Sequence, residues 1–133
     1  MEKTVLVWIT NPAACELIVK AGKKIATELE SELMVASIQS KIRDNWEATF
    51  SDLDALHKAS RSVNAELTVI YSDNTFEAAV KTVRDVMPIA MVTGVPGHMK
   101  KNLFIEHLQT FDKDVPIYTI DSRGNALKLS NNT

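Results

Sequence analysis

The sequence predicts an α/β fold, a parallel sheet covered by helices on both faces, and three observations carry that prediction. Short β-rich apolar runs alternate with longer stretches of helical periodicity, in the order βαβαβαβαβ. The first run, Thr4-Val5-Leu6-Val7-Trp8-Ile9, is apolar without alternation, as expected of a strand buried on both faces. The fourth run, Ile89-Ala90-Met91-Val92, enters a glycine turn, Thr93-Gly94-Val95-Pro96-Gly97, and then an amphipathic segment that starts near Met99. A length of 133 residues suits one domain with one sizeable core, placed at residues 1–129, with Ser130-Asn131-Asn132-Thr133 as a disordered tail.

Each element has a local reason. Asn11 can cap the first helix and Pro12 suits its first turn. Ala14, Leu17, Ile18, Ala21, Ile25 and Leu29 keep helical spacing along it. Leu33 to Ile38 reads as the second strand, and Gln39 to Asn45 as a polar loop. Phe50, Leu53, Leu56 and Val63 mark a second helix ending near Asn64, before a third strand at Leu67 to Tyr71. Asn74 and Glu77 have the spacing of a reciprocal cap for a third helix lined by Phe76, Val80, Val83 and Met87. Leu103, Phe104, Leu108 and Phe111 line a fourth helix, and Val115 to Ile120 form the fifth strand. Pro116 has no N–H to donate, which points to a sheet edge there. A further short strand is compatible with Ala126 to Leu129.

Composition narrows the function classes. A net charge of −2 argues against a nucleic-acid partner, which needs a basic face. No apolar run approaches a membrane span, and Met1-Glu2-Lys3 leads into a strand-like run without a small-residue cleavage site. The single cysteine excludes an intrachain disulfide and suits a reducing compartment, so a cytoplasmic protein is expected.

In a parallel sheet of this kind ligands sit beyond the carboxyl ends of the strands, where strand order reverses. The loops there are Thr10-Asn11, Gln39-Ser40, Ser72-Asp73, Thr93 to Gly97 and Asp121-Ser122. The G-x-x-G turn is the chemically suggestive one: glycine lets backbone approach an anion, and a helix start offers free N–H groups and a positive dipole end. Its bland reading is a tight turn stiffened by Pro96. His57, His98 and His107 are far apart and show no metal-ligand spacing, so no metal site is expected. Cys15 reads as a packing residue, and Trp8 as core. No G-x-S-x-G elbow and no G-K-[ST] phosphate loop is present, and the acidic and lysine positions of a phosphoreceiver are not filled. The chain is therefore expected not to be an enzyme.

Several collinear segments resemble the universal stress protein family, and in particular the domain of that type within the potassium-sensor histidine kinase KdpD. They are Val5 to Thr10, Cys15-Glu16-Leu17-Ile18 with Ala21 and Ile25-Ala26, Asn64 to Val69, Ser72-Asp73-Asn74, and Ile89 to Gly94. The resemblance implies a Rossmann-like, adenine-nucleotide-α-hydrolase-like fold with a five-stranded parallel sheet in the order 3-2-1-4-5. It also implies an adenine-nucleotide site, for ATP or a relative, between the first and fourth strands. Thr10 stands at the position of an adenosine-binding aspartate, Ile38 near the second-strand backbone position, and Thr93, Gly94, Pro96 and Gly97 in the phosphate turn. The family's phosphate pattern continues nine residues later with G-[ST], where this chain has His107-Leu108. Family members often pair through the fifth strand, which implies a homodimer using Val115, Ile117, Tyr118 and Ile120. The expected role is a regulatory domain sensing an adenine nucleotide, with a signalling protein as partner. The alternative is a degenerate module that only dimerises or docks in stress or potassium-sensor signalling.

Overall fold

The computed structural model describes residues 3–9, 15–39, 46–94, 108, 115–121 and 123–128 of the chain. In chain order the elements are β1 (Thr4–Trp8), α1 (Cys15–Glu28), β2 (Glu32–Gln39), α2 (Trp46–Ser62), β3 (Glu66–Tyr71), α3 (Thr75–Val86), β4 (Ala90–Gly94), β5 (Ile117–Ile120) and β6 (Ala126–Lys128). The sheet order is β3-β2-β1-β4-β5-β6. Its first five strands are parallel, and β6 returns antiparallel to β5.

The sheet thus has six strands rather than five, and β5 is not an edge. Tyr118 pairs with Lys128, Thr119 with Leu127 and Ile120 with Ala126. Pro116 precedes the strand, where its missing N–H costs no ladder bond, and its carbonyl accepts from the Met91 N–H at 2.9 Å.

Two side-chain layers form because successive residues of β1 point to opposite faces. Val5 and Val7 enter a cluster with Ile18, Val19 and Ile25 of α1 and Leu56 of α2. Leu6 and Trp8 enter the other with Ala79 and Val83 of α3, Met91 of β4, Ile117 of β5 and Leu108. Burial on both faces explains why the first run does not alternate. The Trp8 indole Nε1 donates to Met91 Sδ at 3.5 Å, so its polar edge is engaged although the ring is buried.

The buried stripe of α1 is Cys15, Ile18, Val19, Gly22, Ile25 and Ala26, rotated from the stripe that the apolar spacing suggests. Leu17 is 45% exposed, whereas Gly22 faces the core. A Cβ at Gly22 would collide with Val7 Cγ2, so the missing side chain draws α1 onto β1. Ala14 and the Asn11-Pro12 cap lie outside the described residues, as does the expected fourth helix apart from Leu108.

In α3 half of the expected cap is made. Asn74 Oδ1 accepts from the Glu77 N–H at 3.0 Å, while the Asn74 N–H goes to Ser72 Oγ at 3.1 Å instead of to Glu77. The helix ends at Met87, whose left-handed backbone (φ 53°) lets its N–H bond the Val83 carbonyl. Met87 and Phe76 are exposed, and Ala79 and Val83 do the packing.

Candidate functional site

The chain leaves β1 toward β2 and β3, then returns to β4 on the other side of β1. Connections leaving two adjacent parallel strands for opposite faces open a crevice at their carboxyl ends. Trp8 is level with Thr93, so β1 and β4 end together. This edge carries Ile9, Ser37 and Ile38, Thr93 and Gly94, and Ile120. Ile38 and Gly94 lie on strands two spacings apart, roughly 10 Å. The Ile9 N–H donates to the Ala36 carbonyl at 2.9 Å, and Ser37 Oγ donates to the Ile9 carbonyl at 3.2 Å, tying β1 to β2.

Of the residues assigned to a nucleotide from sequence, Ile38, Thr93 and Gly94 thus share one edge of the sheet. Thr10, Pro96 and Gly97 lie outside the described residues. Ile38 is half-buried beside the α3-side cluster, and Thr93 is fully buried. Gly94 has a packing role as well as its place in the expected cradle. A Cβ there would lie 2.5 Å from Ile18 Cδ1 and 3.2 Å from Ile18 Cγ1. Its backbone is not left-handed. A side chain here would have to displace the end of Ile18, so α1 approaches β4 closely at this glycine, a relation no turn pattern reveals.

Cys15 opens α1 at the same end of the sheet. It is buried, and its Sγ donates to the Ala55 carbonyl at 3.8 Å, joining α1 to α2. No group of three or more His, Cys, Asp or Glu is arranged to hold a metal ion among the described residues.

The rim beyond β5 is built by Asp121. One carboxylate oxygen accepts from the N–H groups of Arg123 and Asn125, both at 2.9 Å, and the other from Asn125 Nδ2 at 3.3 Å. Those backbone bonds, Asn125 first and then Arg123, hold its pKa below the ordinary carboxylate value. Gly124 takes φ 87° in this turn and sits against Leu17 of α1; a Cβ there would be 3.6 Å from Leu17 Cδ2. Sequence places Asp121 among the carboxyl-end loops, and the turn it closes emerges only in the structure. An aspartate three residues before a glycine, between two β-rich runs, was the available signal.

Of the four residues expected at a dimer interface, two lie in the core. Ile117 and Ile120 are 0% and 1% exposed, on opposite faces of the sheet. Val115 and Tyr118 are half-buried against the two clusters. The outer edge of β5 is taken by β6.

A groove of about 690 Å³ lies elsewhere, between β3 and α3. Met34, Thr68 and Ile70 contribute from the strands, and Glu77, Lys81 and Asp85 from the helix. No sequence motif points to it.

No protein-family model and no curated protein matches the sequence. Solved structures match the fold. A universal stress protein from Archaeoglobus fulgidus aligns with a TM-score of 0.70 at 12% identity, over 91% of this chain and 93% of that one. A universal stress protein in complex with cAMP aligns at 0.65 and 13% identity, over 92% and 99%. A universal stress protein from Archaeoglobus fulgidus in complex with dAMP aligns at 0.61 and 13%, over 91% and 97%. At these identities the likeness is one of fold.

Proposed function

We propose that this chain is a universal-stress-protein-like regulatory domain, without catalysis of its own, that senses an adenine nucleotide at the carboxyl ends of β1 and β4. The observation that carries the reading is the reversal of strand order between β1 and β4, which sets Gly94 beside the end of β1 with α1 starting at the same edge. Two structures of the same fold hold cAMP and dAMP, which supports an adenine ligand. In this reading Thr10 and the backbone at Ile38 receive the adenosine end. The backbone from Thr93 through Gly94 and Pro96 to Gly97 receives phosphate, with the N–H groups as donors. Kinship with the KdpD domain rests on the collinear sequence segments. A cytoplasmic homodimer with a signalling partner belongs to the same proposal. Because β6 covers β5, the outermost strand on that side among the described residues is β6, where Leu127 is 64% exposed.

A second reading, docking without nucleotide, has its own support: Ile18 occupies the space that Gly94 leaves open. The two separate on one experiment. Protein purified without added nucleotide is denatured and any released small molecule identified by mass spectrometry, then AMP, cAMP and ATP are titrated calorimetrically. The sensing reading expects saturable heat with at least one of them, weakened at least tenfold by Gly97→Val. An empty protein that gives no heat up to millimolar nucleotide leaves the docking reading.

A further inference from the structure

We infer that the outer edge of β3 and the groove beside it dock an extended segment of another protein in which basic residues alternate with apolar ones. The inference is independent of the nucleotide reading. Among the described residues β3 pairs only with β2, so its outer row of backbone N–H and C=O groups is open to a further strand. The other end of the sheet is blunted: β6 has three residues, all exposed, and carries Lys128. β3 has six residues, Glu66-Leu67-Thr68-Val69-Ile70-Tyr71, with no proline, glycine or lysine to discourage pairing.

The chemistry of the two faces sets the occupant's pattern. Thr68 and Ile70 line the groove, and Glu66 shares their face by alternation. Across from them, Glu77, Lys81 and Asp85 are spaced four apart along α3 and span about 12 Å, a length suited to several residues of extended chain. On the helix wall of the groove two carboxylates, Glu77 and Asp85, stand against one ammonium, Lys81. A lysine or arginine on an added strand lays its aliphatic stem over Ile70 and brings its charge to those carboxylates. The next side chain falls on the opposite face, continuing the row of Leu67 and Val69, where an apolar residue fits; Leu67 already packs against the core cluster. A second copy of β3 fits less well, because it brings Glu66 to an acidic groove and offers no basic residue.

The test uses the full chain, isotope-labelled, with a capped octapeptide of alternating lysine and valine, and the same peptide with glutamate for lysine. The lysine peptide is expected to shift amides of β3 and α3, with affinity reduced about tenfold by Glu77→Lys and by Asp85→Lys. Glu28→Lys, the same charge change on the exposed side of α1, is expected to leave affinity unchanged. Equal binding of the glutamate peptide, no binding at millimolar peptide, or shifts elsewhere would overturn the inference. So would β3 amides that broaden with protein concentration alone, which would make a second copy the occupant.

Discussion

The crossover at β1 and β4 and the flank formed by β3 and α3 belong to one sheet but are built in opposite ways. At the crossover Val7, Trp8, Met91 and Val92 are fully buried, and Ile18 fills even the space beside Gly94. On the flank every residue of β3 is half-buried or exposed, and an open groove runs beside it. The difference follows from where α3 lies. Its buried residues, Ala79 and Val83, pack with Leu6, Trp8 and Ala36 over β1 and β2, which leaves β3 only partly covered. Strand order therefore sets where the strand ends open a crevice, and helix placement sets which flank of the sheet stays open.

The contrast can be broken most sharply at its centre. Trp8→Ala removes the largest fully buried side chain among the described residues and is expected to destabilise the fold by about 3–5 kcal/mol in urea unfolding. A loss under 1 kcal/mol would mean that the crossover is loosely packed. Gly94→Ala is expected to cost about 1–3 kcal/mol through overpacking against Ile18. Ile18→Val in the same chain should recover part of that loss, so the two changes are non-additive. If the costs simply add, Ile18 is not what requires glycine. Because Gly94 packs in this way, a bulky substitution there would report on folding as well as on ligand.

A smaller effect is expected at the rim. The native carboxylate of Asp121 has a lowered pKa, so its contribution to stability is present above the unfolded-state pKa and disappears as pH falls through the native one. Thermal unfolding from neutral pH down through the acid range should show the parent losing more stability than Asp121→Asn. Parallel curves would remove the carboxylate from the turn's account. The smallest effect belongs to the flank. Lys81→Ala, on the exposed surface of α3, is expected to change stability by less than about 0.5 kcal/mol. A cost above 1 kcal/mol would show the flank to be structurally closed.

Much of this arrangement is readable from residues alone, and the failures have physical causes. Five strands are visible because each is an apolar run bounded by turn chemistry. β6 is hard to see, since Ala126-Leu127-Lys128 is held mainly by its ladder with β5 rather than by its own pattern. The buried face of α1 is misjudged because glycine carries no hydrophobic signal, yet Gly22 marks a close approach to Val7 of β1. The location of the candidate site follows from strand order. The role of Gly94 does not, since it depends on Ile18, which is distant in sequence and supplied by another element. The flank groove leaves no trace in any motif because it exists only through the position of α3.

The most direct test of the account is an amide-shift titration of the labelled chain with AMP and ATP. The proposal predicts saturable shifts at Ile9, Ile38, Thr93 and Gly94, with the amides from Thr68 to Asn74 unmoved. Shifts confined to β3 and α3, or none at millimolar nucleotide, would contradict it.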